Sequence, residues 1–174
     1  MRIYITDLAA YNQGHLIGEW VTLPMSQEEL TSKVDAILNE GAVVCEEQKH
    51  EEIFITDYEC DYISINEYDN IQKLNEMAEQ IETLSESDIK AIGFLLENNL
   101  VNSFEEAMER YEDVRVHEDA TLEDIAYDYV NECYNLEDMP SIIANNIDYE
   151  KIAREFEIEG NYYVVGSDVF EYLG

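Results

Sequence analysis

The sequence predicts an α+β fold, drawn out as an elongated chain of three small modules. Three observations carry that reading. Short alternating runs rich in β-branched residues crowd the first sixty positions, apolar residues at helical spacing fill the next stretch, and the last third mixes both patterns. The modules are residues 1–61, an N-terminal α+β unit with a three-stranded sheet; residues 62–103, a helical unit; and residues 104–174, a C-terminal α+β unit.

Residues 2–6 alternate and predict a strand, and residues 9–18 hold Asn12, Gly14 and Gly18 and read as a loop. Residues 19–23 predict a second strand, stopped by Pro24. Ser26-Gln27-Glu28-Glu29 has capping-box spacing, and Leu30, Val34, Ile37 and Leu38 continue it as an amphipathic helix. Residues 52–57 predict a third strand. There Ile53-Phe54-Ile55-Thr56-Asp57 echoes Ile3-Tyr4-Ile5-Thr6-Asp7, which reads as two similar strands of one small sheet.

Beyond Asp61, Leu74, Met77, Ala78, Ile81 and Leu84 form a helical apolar stripe, with Glu76, Glu79, Glu82 and Glu86 outside it. Ser87 is placed to cap the next helix, to about Asn98. Ser103-Phe104-Glu105-Glu106 is a second capping-box sequence, opening a helix to about Tyr111. Residues 115–117 predict a short strand.

In the stretch 121–138, Leu122, Ile125, Ala126, Tyr129, Val130 and Cys133 share a face, Thr121 with Asp124 marks the start, and the helix ends near Pro140. Residues 141–146 predict a short helix. Residues 149–156 predict another, stopped by Gly160. Residues 162–165 and 169–172 form a hairpin around Gly166-Ser167.

The charge decides the class of partner. Nine Lys and Arg stand against 41 Asp and Glu, a net −32. The excess is spread along the chain: −9 over residues 1–60, −7 over 61–104 and −16 over 105–174. Such a surface repels nucleic acid and anionic membrane and attracts cationic proteins. Spread over duplex DNA, 32 charges occupy roughly 54 Å of axis, about 16 base pairs. Self-repulsion of this size favours an extended shape. With 46% hydrophobic residues the chain still buries a core.

On the helix after Thr121, Asp124, Asp128 and Glu132 stand four residues apart. Like charges so placed cost about 0.2–0.5 kcal/mol per pair, and no Lys or Arg lies between Thr121 and Asn146 to relieve them. A specific acidic binding surface is therefore favoured over plain solvation or salt adaptation. The candidate partner-binding carboxylates are Glu76, Glu79, Glu82, Glu86, Glu105, Glu109, Glu112, Asp124, Asp128 and Glu132.

Other chemistry has weaker support. His50-Glu51-Glu52 lacks the second His that a zinc helix needs and reads as a solvated charged turn. Cys45, Cys60 and Cys133 have no metal spacing and read as reduced core thiols. Asp57, Glu59 and Asp61 alternate without an EF-hand loop. Among 41 carboxylates almost any pair could lie close, so pairing alone does not mark an enzyme. There is no Gly-rich phosphate loop and no nucleophile motif. The reading is a non-enzyme without metal or cofactor. The start of the chain has no signal-peptide pattern and no apolar run reaches membrane length, so a cytoplasmic protein is expected.

Several segments together resemble the ArdA antirestriction proteins, DNA-mimicking inhibitors carried by conjugative plasmids and transposons. They are Ile3-Tyr4-Ile5-Thr6-Asp7-Leu8-Ala9-Ala10-Tyr11-Asn12, Gly18-Glu19-Trp20, and His50-Glu51-Glu52-Ile53-Phe54-Ile55-Thr56-Asp57-Tyr58-Glu59. A fourth, Leu122-Glu123-Asp124-Ile125-Ala126-Tyr127-Asp128-Tyr129-Val130-Asn131-Glu132, resembles the family's antirestriction motif. The likeness runs nearly end to end and is strongest to the transposon-borne members.

It implies a curved three-domain chain that forms a homodimer through its C-terminal part and whose carboxylates imitate the phosphates of bent B-form DNA. The implied target is the DNA-binding groove of type I restriction–modification enzymes, formed by specificity and methylation subunits. The motif helix would then lie near the dimer interface. The rival reading from charge alone is an acidic interaction module for another basic nucleic-acid-binding protein.

Overall fold

The computed structural model describes residues 1–47 and 49–174 and has the α+β composition that the patterning predicts. Its contacts gather the chain into two compact units, Met1–Ser85 and Glu86–Gly174.

The first unit runs β1 (Arg2–Asp7), α1 (Leu8–Asn12), β2 (Gly18–Thr22), α2 (Gln27–Val44), β3 (Ile53–Glu59) and α3 (Ile71–Ile81). The strands form one antiparallel sheet in the order β2-β1-β3. Alternation in β1 sends Ile3 and Ile5 into a core with Val21, Leu30, Ile37 and Ile55, and α3 adds Ile71, Leu74 and Ala78 to it. The boundary suggested near 61 thus runs through a shared core, and α3 and α4 fall in different units.

The two echoed segments are neighbours. Ile5 faces Ile55, Tyr4 faces Asp57, and the register shifts between them, so Thr56 is the extra residue of a bulge. Its hydroxyl lies 2.7 Å from that of Thr6. Ser26 and Glu29 cap α2 reciprocally, as their spacing predicts.

Two sequence expectations change in this unit. The stretch read as a loop contains α1, because the Asp7 carboxylate accepts from the Ala10 N–H (2.9 Å) and caps a helical turn. The helix over Glu76 to Glu86 stops at Ile81, with Glu82 as its C-cap.

The second unit runs α4 (Glu86–Glu97), α5 (Phe104–Arg110), β4 (Val114–His117), α6 (Leu122–Cys133), α7 (Ser141–Ala144), α8 (Tyr149–Glu159), β5 (Tyr162–Val165) and β6 (Asp168–Tyr172). The expected hairpin pairs Val165 with Asp168 across Gly166, whose φ of 64° suits a tight turn. β4 adds to it from far away in sequence, giving the order β4-β6-β5.

α6 and α8 pack over this sheet through Ile125, Ala126, Ala153, Phe156 and Val169. From the sheet, Phe170 stacks on Phe94 of α4 with centroids 4.6 Å apart, and Tyr163 meets Phe94 edge-on at 5.0 Å. Burial and a hydrogen bond to Glu171 push the Tyr162 phenol up to about 12.

Here too some local signals resolve differently. Ser87 lies inside α4, which begins at Glu86. Ser103 caps α5, but Glu106 does not reciprocate; its carboxylate accepts from the N–H and side-chain amide of Asn102. α6 ends at Cys133, short of Pro140, and this leaves Cys133 exposed rather than in the core. Cys45 and Cys60 are half-buried.

Candidate functional site

All ten candidate carboxylates are exposed. Glu76 and Glu79 stand on the outer face of α3 because Ile71, Leu74 and Ala78 occupy its inner face. Glu86 opens α4, Glu105 and Glu109 lie on α5, and Glu112 follows α5 in a short 3-10 turn. The acids expected outside one apolar stripe, Glu76 to Glu86, are therefore divided between α3, its C-cap Glu82 and the start of α4.

On α6 the buried stripe of Ile125, Ala126 and Val130 turns Asp124, Asp128 and Glu132 to solvent. Asp124 has a second task. Its carboxylate accepts from the N–H (2.8 Å) and hydroxyl (2.6 Å) of Thr121, which hold it below its ordinary range. It closes a capping box, and the positive end of the helix favours its charge.

Within the antirestriction motif the roles separate by face. Leu122, Ile125, Ala126 and Val130 pack inward. Tyr127 lies against Tyr149 (5.3 Å) and Tyr129 against Phe156 (5.5 Å), both still half exposed. Glu123, Asp128 and Glu132 face solvent, and the Asn131 side chain donates to the Tyr127 carbonyl (2.7 Å).

The cations are arranged differently. Arg2 pairs with Glu59, Lys33 with Glu19, Lys49 with Glu51 and Arg154 with Glu150. Arg110 pairs with Asp113 and Glu106 and also contacts the Tyr172 hydroxyl, and Arg115 pairs with Glu171. Lys90, on α4, lies 2.9 Å from both Glu118 and Asp168. Those two carboxylates push its ammonium above the usual lysine range.

Among the described residues Lys73 and Lys151 are left without an ion pair. By contrast, Glu76, Glu79, Glu82, Glu86, Glu109, Glu112, Asp128 and Glu132 have no ion pair with any described cation. The few positive charges are muted locally, and the surplus negative charge faces outward.

One constellation escaped the sequence reading. His50 is buried, not solvated: its Nδ1 donates to Asp7 Oδ2 at 2.6 Å, and neither side chain is exposed. Its Nε2 lies 3.3 Å from Glu47 Oε2. The hydrogen bond to Asp7 raises the imidazole above its ordinary 6.5 against the opposing effect of burial, and Glu47 adds to the rise. Gly41 makes room for the pair, since a Cβ there would come within 2.0 Å of Asp7 Oδ2. The pair joins two segments that carry the family likeness, at Asp7 within the first and His50 at the start of the second.

Among the described residues no group of three or more His, Cys, Asp or Glu is arranged to hold a metal, and no helix is long and apolar enough to cross a membrane.

The family model for antirestriction protein (ArdA) matches residues 3–171 of the 174. The chain belongs to the ArdA antirestriction family. ArdA membership makes antirestriction its function, and it covers both compact units rather than the motif helix alone. Comparison with curated proteins finds no match. For this ArdA chain, the surface acids were legible from helical spacing. The Asp7–His50 pair was not, because its members lie 43 positions apart.

Proposed function

We propose that the protein is a non-catalytic DNA mimic that occupies the DNA-binding groove of type I restriction–modification enzymes, between their specificity and methylation subunits. The observation that carries this reading is the asymmetry of pairing: many exposed carboxylates without internal cations, beside cations of which all but Lys73 and Lys151 are already matched among the described residues. Lys and Arg side chains that grip phosphates would grip these carboxylates by the same charge-assisted hydrogen bonds. No cofactor enters, and the site of action is the cytoplasm, where the enzyme meets incoming DNA. Restriction is blocked by competition, and methylation with it wherever both activities use the same groove.

The protein acts as a homodimer through its C-terminal unit. In support, that unit exposes Ile142, Ile143, Ile158, Val164 and Leu173, more apolar surface than solvation favours. Of the ten candidates, Asp128 and Glu132 are the acids of α6 free to contact the enzyme, while Asp124 serves its cap.

The experiment is a titration of the protein into a purified type I enzyme bound to labelled target DNA, over a range of salt. DNA should be released, less effectively as salt rises. Undiminished DNA binding at low salt would remove the reading. Sedimentation of the free protein checks the dimer.

A further inference from the structure

We infer that an apolar pocket in the first unit receives an apolar side chain displayed on a Lys/Arg-rich segment of the protein partner, giving recognition a contact that salt does not weaken. The inference deepens the inhibitor reading and rests on it for the identity of the partner.

The pocket has a volume of about 350 Å³, enough for a large side chain. Leu30 and Val34 of α2 form one wall, Ile53 and Phe54 of β3 the floor, and Ile71 at the start of α3 the other wall. Tyr68 stands at the rim, 73% exposed, roughly parallel to Phe54. An exposed ring of this size beside open apolar space suits an incoming side chain rather than water.

The surroundings select the occupant. Asp69 lines the pocket, and Thr31 is shared with a shallower depression on the outside of α2 that contains Glu28 and Asp35. None of the described residues lining either depression is basic. An anionic lipid or nucleic acid is repelled here, whereas an apolar residue flanked by Lys or Arg is attracted.

The mode of entry follows from the edge of the sheet. β3 is an edge strand, but the N–H of Ile55 already donates to the Glu67 carbonyl (2.8 Å). A partner strand cannot take that hydrogen bond, so the partner enters by its side chain rather than by extending the sheet.

Thr31→Trp and Gln72→Trp test this. Both positions are exposed, lie on helices at the pocket wall and leave the charge unchanged. Each variant, shown to be folded by circular dichroism, is titrated against type I enzyme and labelled DNA at low and high salt. Competition should weaken about tenfold at both, with the salt dependence unchanged. Unaltered competition by either folded variant overturns the inference.

A second measurement does not need the enzyme. Amide and methyl spectra of the unmodified protein are recorded with the peptide Lys-Lys-Phe-Lys-Lys and with Lys-Lys-Gly-Lys-Lys. Signals of Val34, Phe54 and Ile71 should move with the first peptide only; equal responses to both overturn the pocket. If the unmodified protein fails to displace DNA while the Phe peptide still moves those signals, the inhibitor reading fails and the pocket stands.

Discussion

In the first unit the central strand of the sheet, β1, comes earliest in the chain and ends in a buried ion pair; in the second, the central strand β6 comes last and its ions lie toward the surface. Both sheets are antiparallel and three-stranded. Asp7, the last residue of β1, caps α1 and grips His50, with all of this out of solvent. Asp168, the first residue of β6, meets Lys90 with both side chains partly solvated, and the apolar work passes to the Phe94–Phe170 stack. One architecture is therefore secured by a dry polar lock in one place and by aromatic packing with wet ion pairs in the other. The two units should answer differently to core truncation, pH and surface charge.

The largest effect is expected where packing holds the sheet. Phe94→Ala removes a buried ring and should cost the second unit about 3–5 kcal/mol. Trp20, the sole tryptophan, lies on β2 and reports the first unit by fluorescence. Its unfolding midpoint should hold while the far-ultraviolet signal of the second unit moves. Equal losses in both signals would show that the units unfold together.

Gly41→Ala is the matching blow to the first unit. Its new methyl meets a buried carboxylate with no room to retreat, so a loss of about 3 kcal/mol is expected in the Trp20 transition. Asp7→Asn should weaken the same transition less.

The pH response should separate the units by sign. His50 is raised in the folded protein, so its contribution is complete below the ordinary 6.5 and is lost as pH rises through the folded value. The Trp20 midpoint should fall as pH rises above the ordinary 6.5 and through the raised folded value, and His50→Gln should flatten that slope. Asp168 is lowered, chiefly by Lys90. Its contribution is present above the ordinary 3.8 and disappears as pH falls through the folded value, so Asp168→Asn should flatten the acid limb of the second unit.

Single changes to exposed acids should matter least. Asp128→Asn relieves two like-charge neighbours and should stabilise α6 by about 0.4–1 kcal/mol. It should weaken competition with DNA by less than about threefold, because mimicry spreads binding over many charges. Replacing Glu109, Glu112, Asp128 and Glu132 together should weaken it far more and reduce the salt dependence. A complete loss from one exposed acid, in a folded dimer, would point to a specific contact instead.

Local chemistry was legible where a recognised cap or turn motif closes within a turn, though the Asp7 cap of α1 was missed. Ser26 with Glu29 and Thr121 with Asp124 each form the box their spacing announces, and Gly166 makes the hairpin. The same logic misled at Ser87, which lies inside α4 rather than at its cap, and at Glu106, whose carboxylate takes the Asn102 N–H instead. The break after Ile81 was hidden because Leu84 continues the apolar spacing into the turn.

The sequence by itself determined the sign and spread of the charge, the alternation that makes β1 and β3, and the helical faces that leave acids outside; each depends on residue type and on spacing within a few positions. Tertiary structure alone decided that His50 is dry, that β4 joins β6, and that Lys90 meets Asp168. Those outcomes depend on groups brought together across long loops, where burial turns an ordinary turn histidine into half of an ion pair. No periodicity records that, because desolvation is a property of the assembled core and not of the neighbouring residues.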